Sequence, residues 1–184
     1  MLEFEFRILD FIQSIRTPLG DVVMPLISAL GNAGMIWILL ACILMALPRT
    51  RKSGVILAVA LCWDVVLCNG TLKNLVARVR PYEVNTAVQL LINKPLEYSF
   101  PSGHTAVSFA SVTALCLAGR RKLAGVMSVL AFAIAFSRLY LYVHYPTDIL
   151  GGILVGIFAG YMGYCTVQRF ARGKKIFTDK QGEL

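Results

Sequence analysis

Five long apolar stretches separated by short polar breaks dominate the chain: Met35 to Leu47, Ser53 to Leu72, His104 to Ala118, Leu123 to Leu141 and Ile149 to Val167. Runs of this kind read as membrane helices, each needing about 20 residues to cross. Several fall short of that length, which calls for tilt, local bilayer thinning or helices that continue into polar rims. Ahead of them, Leu2, Phe4, Phe6, Ile8, Leu9, Phe11, Ile12 and Ile15 interleave with Glu3, Glu5, Arg7, Asp10 and Arg16. That pattern predicts an interfacial amphipathic helix, followed after Thr17-Pro18 by a short further crossing through Leu30, with Gly31-Asn32 as a turn. The expected fold is all-α: a polytopic membrane protein, a six-transmembrane-helix bundle with an N-terminal amphipathic helix, forming a single domain over residues 1–184. No internal repeat or low-complexity segment interrupts it, and the first ten residues lack the apolar core of a cleavable signal peptide.

Composition agrees with the pattern. The 184 residues are 57% hydrophobic and 15% charged, with mean hydropathy +0.69, whereas soluble domains are about 45–50% apolar. Five cysteines, Cys42, Cys62, Cys68, Cys116 and Cys165, sit inside apolar runs without CxxC or Cys/His spacing, so neither a disulfide framework nor a zinc site is indicated. The net charge of +8 is no nucleic-acid signal, because it is broken into clumps rather than spread along one face. Arg49, Arg51 and Lys52 form one clump, Arg120, Arg121 and Lys122 a second, and Arg169, Arg172, Lys174, Lys175 and Lys180 a third. Short basic loops stay in the cytoplasm. The expectation is therefore a plasma (inner) membrane protein with both termini cytoplasmic, while the turns near Asn32, Tyr82 to Phe100 and Val143 to Thr147 face outward.

A different set of ionisable residues gathers at the outer ends of the predicted helices: Lys73, Arg80, Arg138, Asp148 and the chain's two histidines, His104 and His144. One such residue would be an ordinary headgroup contact. Six from four helices at one membrane level make a candidate site. Lys73, Arg80 and Arg138 are cationic donors suited to phosphate oxygens. In the run Pro101 to His104, Ser102 is placed to cap a helix and Gly103 lets the backbone approach a ligand, so helix amides add to an anion site. Of two histidines, one can attack phosphorus and the other protonate the departing oxygen. Asp148, four residues after His144, can orient that imidazole, although Pro146 between them makes their contact a matter of local geometry.

These residues also fall into three motifs. Lys73 to Pro81 (KNLVARVRP) fits KxxxxxxRP, Pro101 to His104 is PSGH, and Ser137 to Asp148 (SRLYLYVHYPTD) fits SRxxxxxHxxxD. Together, over residues 73–148, they resemble the signature of the type-2 phosphatidic acid phosphatase superfamily, with all defining positions matched in order. The resemblance implies a metal-independent phosphatase needing no cofactor, in which His144 forms a phosphohistidine, His104 is the general acid, Asp148 supports His144, and Lys73, Arg80, Ser102, Gly103 and Arg138 hold phosphoryl oxygens. It further implies a lipid phosphate as substrate, and an outward site in so small a membrane protein ranks undecaprenyl diphosphate first. Phosphatidylglycerophosphate or phosphatidic acid is the alternative; an anion transporter or a silent lipid-binding protein explains the paired histidines less well.

Several residues keep two readings at this level. Asp64 lies nine residues before Lys73, about 13 Å along an ideal helix at 1.5 Å per residue, so it serves either packing or a proton relay. Arg78 contacts either phosphate or a lipid headgroup. The series Gly151, Gly152, Gly156, Gly160 and Gly163 suits either a homodimer or close packing within the bundle. Loop 82–100, with Glu83, Lys94 and Glu97 beside Val88, Leu90, Leu91 and Ile92, forms either a lid or a plain interfacial loop. Tyr98, Tyr140, Tyr142 and Tyr145 are expected as interface anchors.

Overall fold

A computed structural model describes the backbone of residues 2–181 and the side chains of residues 2–172. Lys174, Lys175 and Lys180 therefore lie outside the described side chains. Nine α-helices occur among the described residues: α1 (Leu2–Ser14), α2 (Pro18–Leu30), α3 (Met35–Ala46), α4 (Arg51–Asp64), α5 (Lys73–Val76), α6 (Pro81–Val84), α7 (Gly103–Leu117), α8 (Arg121–Tyr140) and α9 (Pro146–Gln181). A π-helical stretch, Val65–Leu72, prolongs α4 into α5. The continuous helix from Arg51, α8 and α9 are each long and apolar enough to cross a membrane. The chain is thus an all-α polytopic membrane protein.

The two ends of the bundle differ chemically. At one end Arg120 donates from Nη2 to the Arg49 carbonyl at 2.5 Å and from Nε to Ser53 Oγ at 3.1 Å, and Lys52 reaches Gln168 at 3.0 Å. Both basic loops and the lower part of α9 meet there. The opposite end carries both histidines.

The first crossing departs from the expected hairpin. Thr17 caps α2 by accepting from Gly20 N at 3.1 Å, with Pro18 at the first helical position, the arrangement a helix start favours. α2 begins beside the top of α8, where Gln13 donates to the Tyr140 carbonyl at 2.9 Å, and its last turn reaches Arg138 through Ser28. Asn32 then meets His104 at 2.9 Å, and Trp37 Nε1 meets Ser108 Oγ at 3.1 Å, one turn further down α7. α3 ends near the basic loops, where a Cβ on Gly54 would stand 2.6 Å from Met45 N. The contacts descend steadily, so α2 and α3 are two halves of one path, bent by 46°. Ala33 at φ 49° and Gly34 at φ 68° supply the bend, redirecting the chain without reversing it.

Among the described residues three helices are thus long and apolar enough to cross a membrane, or four when the bent α2–α3 pair is counted as one span, with α7 a shorter apolar helix beside them. α1 lies across the site end, opposite the basic loops, where Glu5 contacts Arg78 and Thr147. The N-terminal helix therefore lies beside the site.

α7 has only 15 residues, but α4, α8 and α9 surround it, so protein rather than lipid satisfies its ends. Ala106, Ala110 and Ala114 on α7 are fully buried. Against them α9 sets glycines in constant register. A Cβ on Gly152 would come within 2.8 Å of the Ser102 carbonyl, one on Gly156 would strike the Ala106 carbonyl, and one on Gly160 would lie 2.7 Å from the Ala110 carbonyl. A Cβ on Gly163 would meet Ala60 Cα on α4 at 2.6 Å. The glycine series is thus consumed by packing inside the chain, which lets helix backbones approach closely.

Candidate active site

Three returning segments bring the signature residues together. The first runs from α5 to α6. Ala77, at φ 47°, ends α5 in the left-handed region and turns the chain so that Arg78 and Arg80 point back over the bundle. The second is the start of α7. The third is the turn between α8 and α9, in which Tyr142 holds φ 59°. A left-handed non-glycine residue costs on the order of 1 kcal/mol or more and persists only when its surroundings fix it. Here they do: Tyr142 is fully buried, donates to Asp10 Oδ1 at 2.8 Å and accepts from Asn85 at 3.1 Å. Tyr142 and Tyr145 are therefore site-end core residues and Tyr140 is buried too, in place of the interface role expected for them; only Tyr98 is exposed.

His144 lies in this turn, 2% exposed. Its Nδ1 is 3.4 Å from Asp148 Oδ2 and its Nε2 is 3.3 Å from Arg80 Nη1. Guanidinium only donates, so the partner of Nε2 assigns the tautomer: the proton sits on Nδ1 toward Asp148 and the Nε2 lone pair is open toward the cation. Burial, opposed by Asp148 and aided by the nearby Arg80, pushes the imidazole from 6.5 down to about 3, so it is uncharged at neutral pH. Asp148 is fully buried and saturated. Its Oδ2 also accepts from Ser99 Oγ at 2.5 Å and Tyr145 N at 2.8 Å, and its Oδ1 accepts from Arg78 Nη1 at 2.6 Å. The i,i+4 contact across Pro146 is thus formed.

Arg80 is the tie between loops. Its Nε donates to the Glu97 carbonyl at 2.7 Å and its Nη1 to the Val143 carbonyl at 2.8 Å. Arg138 reaches Ser28 through Nη1, while its Nε is buried without any hydrogen-bond partner among the described residues. A buried donor of that kind asks for an acceptor that the protein does not provide. Lys73 lies over the start of α7, since a Cβ on Gly103 would stand 3.6 Å from its Nζ, and its ammonium pairs with Glu97. Ser102 occupies the N-cap position without capping; its hydroxyl instead accepts from Thr105 Oγ1 at 3.0 Å. The first-turn amides of α7 therefore have no side-chain acceptor.

His104, half-buried, donates from Nε2 to Asn32 Oδ1 at 2.9 Å and lies within electrostatic reach of Arg138, His144, Lys73 and Arg80. It lines two cavities. One, of 650 Å³, also has Arg138, Ser28, Asn32 and the loop residues Leu90 to Asn93 in its wall. The other, of 390 Å³, has Lys73, Glu97, Asn69, Gly103 and Asp64. Loop 82–100 is thus a wall of the site, pinned by Tyr82 Oη to the Pro95 carbonyl at 2.7 Å and by Ser99 N to the Arg78 carbonyl at 2.8 Å. Asp64 lines the Lys73 cavity with Oδ1 unpartnered.

All eight residues picked from the sequence occur at this end of the bundle. Arg78 binds Asp148, Thr147 and Glu5 and stacks at 3.9 Å on Tyr145. Sequence reasoning missed Ser28, Asn32, Ser99 and the roles of Glu5 and Glu97. For Ser28 and Asn32 a signal existed, polar residues breaking an apolar run; the others gave none. Among the described residues no three His, Cys, Asp or Glu side chains converge as a metal site.

Comparison with known proteins follows the same line. The sequence profile of the PAP2 superfamily matches residues 53–172. The chain is 31% identical to an undecaprenyl-diphosphatase of Sulfolobus acidocaldarius, over 77% of this chain and 68% of that protein. It is 30% identical to a lipid A 4'-phosphatase of Bacteroides thetaiotaomicron, over 89% of this chain and 79% of that protein. It also superposes on the PAP2-type phosphatidylglycerolphosphate phosphatase of Bacillus subtilis with a TM-score of 0.71 at 25% identity, covering 94% and 86% of the two chains.

Proposed function

The chain belongs to the PAP2 superfamily and is a metal-independent membrane lipid phosphatase, and from that premise we propose that it hydrolyses undecaprenyl diphosphate through a phosphohistidine on His144. The observation that carries the reading is the clamped imidazole, with Asp148 on Nδ1 and the cationic fork of Arg80 at the Nε2 lone pair. As the terminal phosphoryl group enters, its oxygens take the place of the lone pair as Arg80's partner, and the lone pair meets phosphorus. The new N–P bond forms as the P–O bond to the lipid monophosphate breaks, and His104 gives the departing oxygen its proton. Asp148 stabilises the charge that builds on the ring. Water then attacks the phosphohistidine, His104 takes a proton from it, and inorganic phosphate leaves with His144 restored.

Charge on the equatorial oxygens is met by Lys73, Arg80, Arg138, whose Nε has no partner among the described residues, the Ser102 hydroxyl and the Gly103 amide, while the Ser102 amide itself donates to the Asp148 carbonyl at 3.0 Å. Fixed donors of this kind supply what a metal ion supplies elsewhere. The similarity to the Sulfolobus undecaprenyl-diphosphatase supports the isoprenoid substrate. The Bacillus phosphatidylglycerolphosphate phosphatase supports a second reading, in which a glycerolipid phosphate is preferred.

The basic loops orient the bundle with their end in the cytoplasm. In this orientation the site, loop 82–100 and α1 are on the outer side and the carboxy-terminal part of α9 is inside. The test of substrate is a panel run with chelator present on purified protein in detergent: C55 diphosphate, phosphatidylglycerophosphate, phosphatidic acid and soluble phosphate esters. The highest kcat/KM is expected for C55 diphosphate. A higher value for a glycerolipid would shift the assignment to the second reading, and a strict magnesium requirement would overturn the mechanism.

A further inference from the structure

Behind the nucleophile lies a charged relay that the three motifs do not contain. Glu5 on α1 is 2% exposed, and a buried carboxylate is tolerated only when paired. Its Oε2 accepts from Arg78 Nη2 at 2.6 Å. Its Oε1 accepts from Thr147 N at 3.2 Å and Thr147 Oγ1 at 2.5 Å, so it also serves the first turn of α9, one residue before Asp148. The other nitrogen of Arg78, Nη1, donates to Thr147 Oγ1 at 2.7 Å and to Asp148 Oδ1 at 2.6 Å. No other donor reaches Asp148 Oδ1 among the described residues, whereas Oδ2 is shared by Ser99, Tyr145 and His144.

We propose that Glu5 and Arg78 are positioning residues, through which the N-terminal helix fixes the carboxylate of Asp148 and thereby the attacking imidazole of His144. The inference rests on the assignment of His144 and Asp148 above. Without Arg78, Asp148 Oδ1 loses its donor among the described residues, and the carboxylate plane is freed to turn Oδ2 away from Nδ1. A lysine cannot substitute, because the two partners are bridged by the two terminal nitrogens of one planar fork. Without the charge of Glu5, the guanidinium has Asp148 as its sole counter-ion and competes with the imidazolium character that develops on His144.

The test uses the full chain purified in detergent, with chelator and whichever lipid phosphate of the panel the wild type turns over best. Turnover by the wild type, and none by His144→Ala, establishes the underlying reading independently; lack of turnover by the wild type on every lipid would defeat that reading rather than this one. Given turnover, Arg78→Ala and Arg78→Lys are expected to lose about tenfold or more in kcat, as loss of an orienting partner commonly does, with KM unchanged. Added guanidinium ion at millimolar concentration should raise kcat for Arg78→Ala and leave the wild type unchanged, a response a merely structural role would not give. Glu5→Gln, which keeps the side-chain shape, should lower kcat at constant KM, and it decides the matter if Arg78→Ala does not fold. Wild-type kcat in Glu5→Gln, or loss in a folded Arg78→Ala that guanidinium leaves untouched, would overturn the proposal.

Discussion

Replacing Glu97 by Gln should make the protein bind phosphate mimics more tightly. Lys73, assigned to the phosphoryl oxygens, is paired with Glu97, so an incoming anion must displace or share that carboxylate. The Lys73 side chain is 8% exposed but that of Glu97 is 66% exposed, and a pair with one wet partner is worth about 0.2–1 kcal/mol. The amide removes the competitor's charge and keeps its size. At 1.36 kcal/mol per factor of ten, inhibition by orthovanadate should therefore tighten by about 1.5- to 5-fold. The hydrogen bond from Lys73 holds the Glu97 carboxyl below its ordinary 4.5, so it stays ionised throughout the neutral range and the difference between the two proteins should not fade there. The assay is vanadate inhibition of lipid phosphatase turnover in detergent, with kcat monitored alongside. An unchanged or weaker vanadate affinity in Glu97→Gln would show that the carboxylate does not contest the anion site.

Other consequences are as direct. His144→Ala should abolish turnover while leaving the unfolding temperature within a few degrees of wild type, and near-normal activity would remove His144 as nucleophile. Because burial pushes His144 down to about 3, the base form is already present at neutral pH; the rate should fall only as pH drops toward that value, and an acid limb near 6.5 traced to this residue would contradict the burial argument. Gly156→Leu drives a side chain into the Ala106 carbonyl, an overpacking worth about 1–3 kcal/mol or more, read as a lowered unfolding temperature in detergent. In a background without the five native cysteines, Glu3→Cys and Gln89→Cys should both react with an impermeant reagent added to intact cells; protection of Glu3→Cys with labelling of Gln89→Cys would favour the six-crossing arrangement instead.

The site was more legible than the path of the chain through the membrane. Spacing alone placed Lys73, Arg80, His104, Arg138, His144 and Asp148 at one level, because their helices end there and phosphate chemistry needs those groups together. The run from Pro18 to Ala46 was misleading for a physical reason. Two apolar helices of 13 and 12 residues around Gly31-Asn32 look like a hairpin, yet Ala33 and Gly34 turn the axis by 46°, and no local pattern distinguishes a bend from a reversal. Arg78 was ambiguous because its partner Glu5 is 73 residues away; only the folded chain brings α1 onto the first turn of α9. Likewise the glycine spacing on α9 allowed two uses, and the carbonyls of Ser102, Ala106 and Ala110 decide between them.

The central claim is a two-step transfer through His144, and the stereochemical course at phosphorus tests it most directly. Hydrolysis of a substrate whose terminal group is an isotopically chiral thiophosphate should proceed with retention of configuration, since attack by His144 and then by water each invert the centre. Net inversion would mean a single attack by water and would contradict the phosphohistidine.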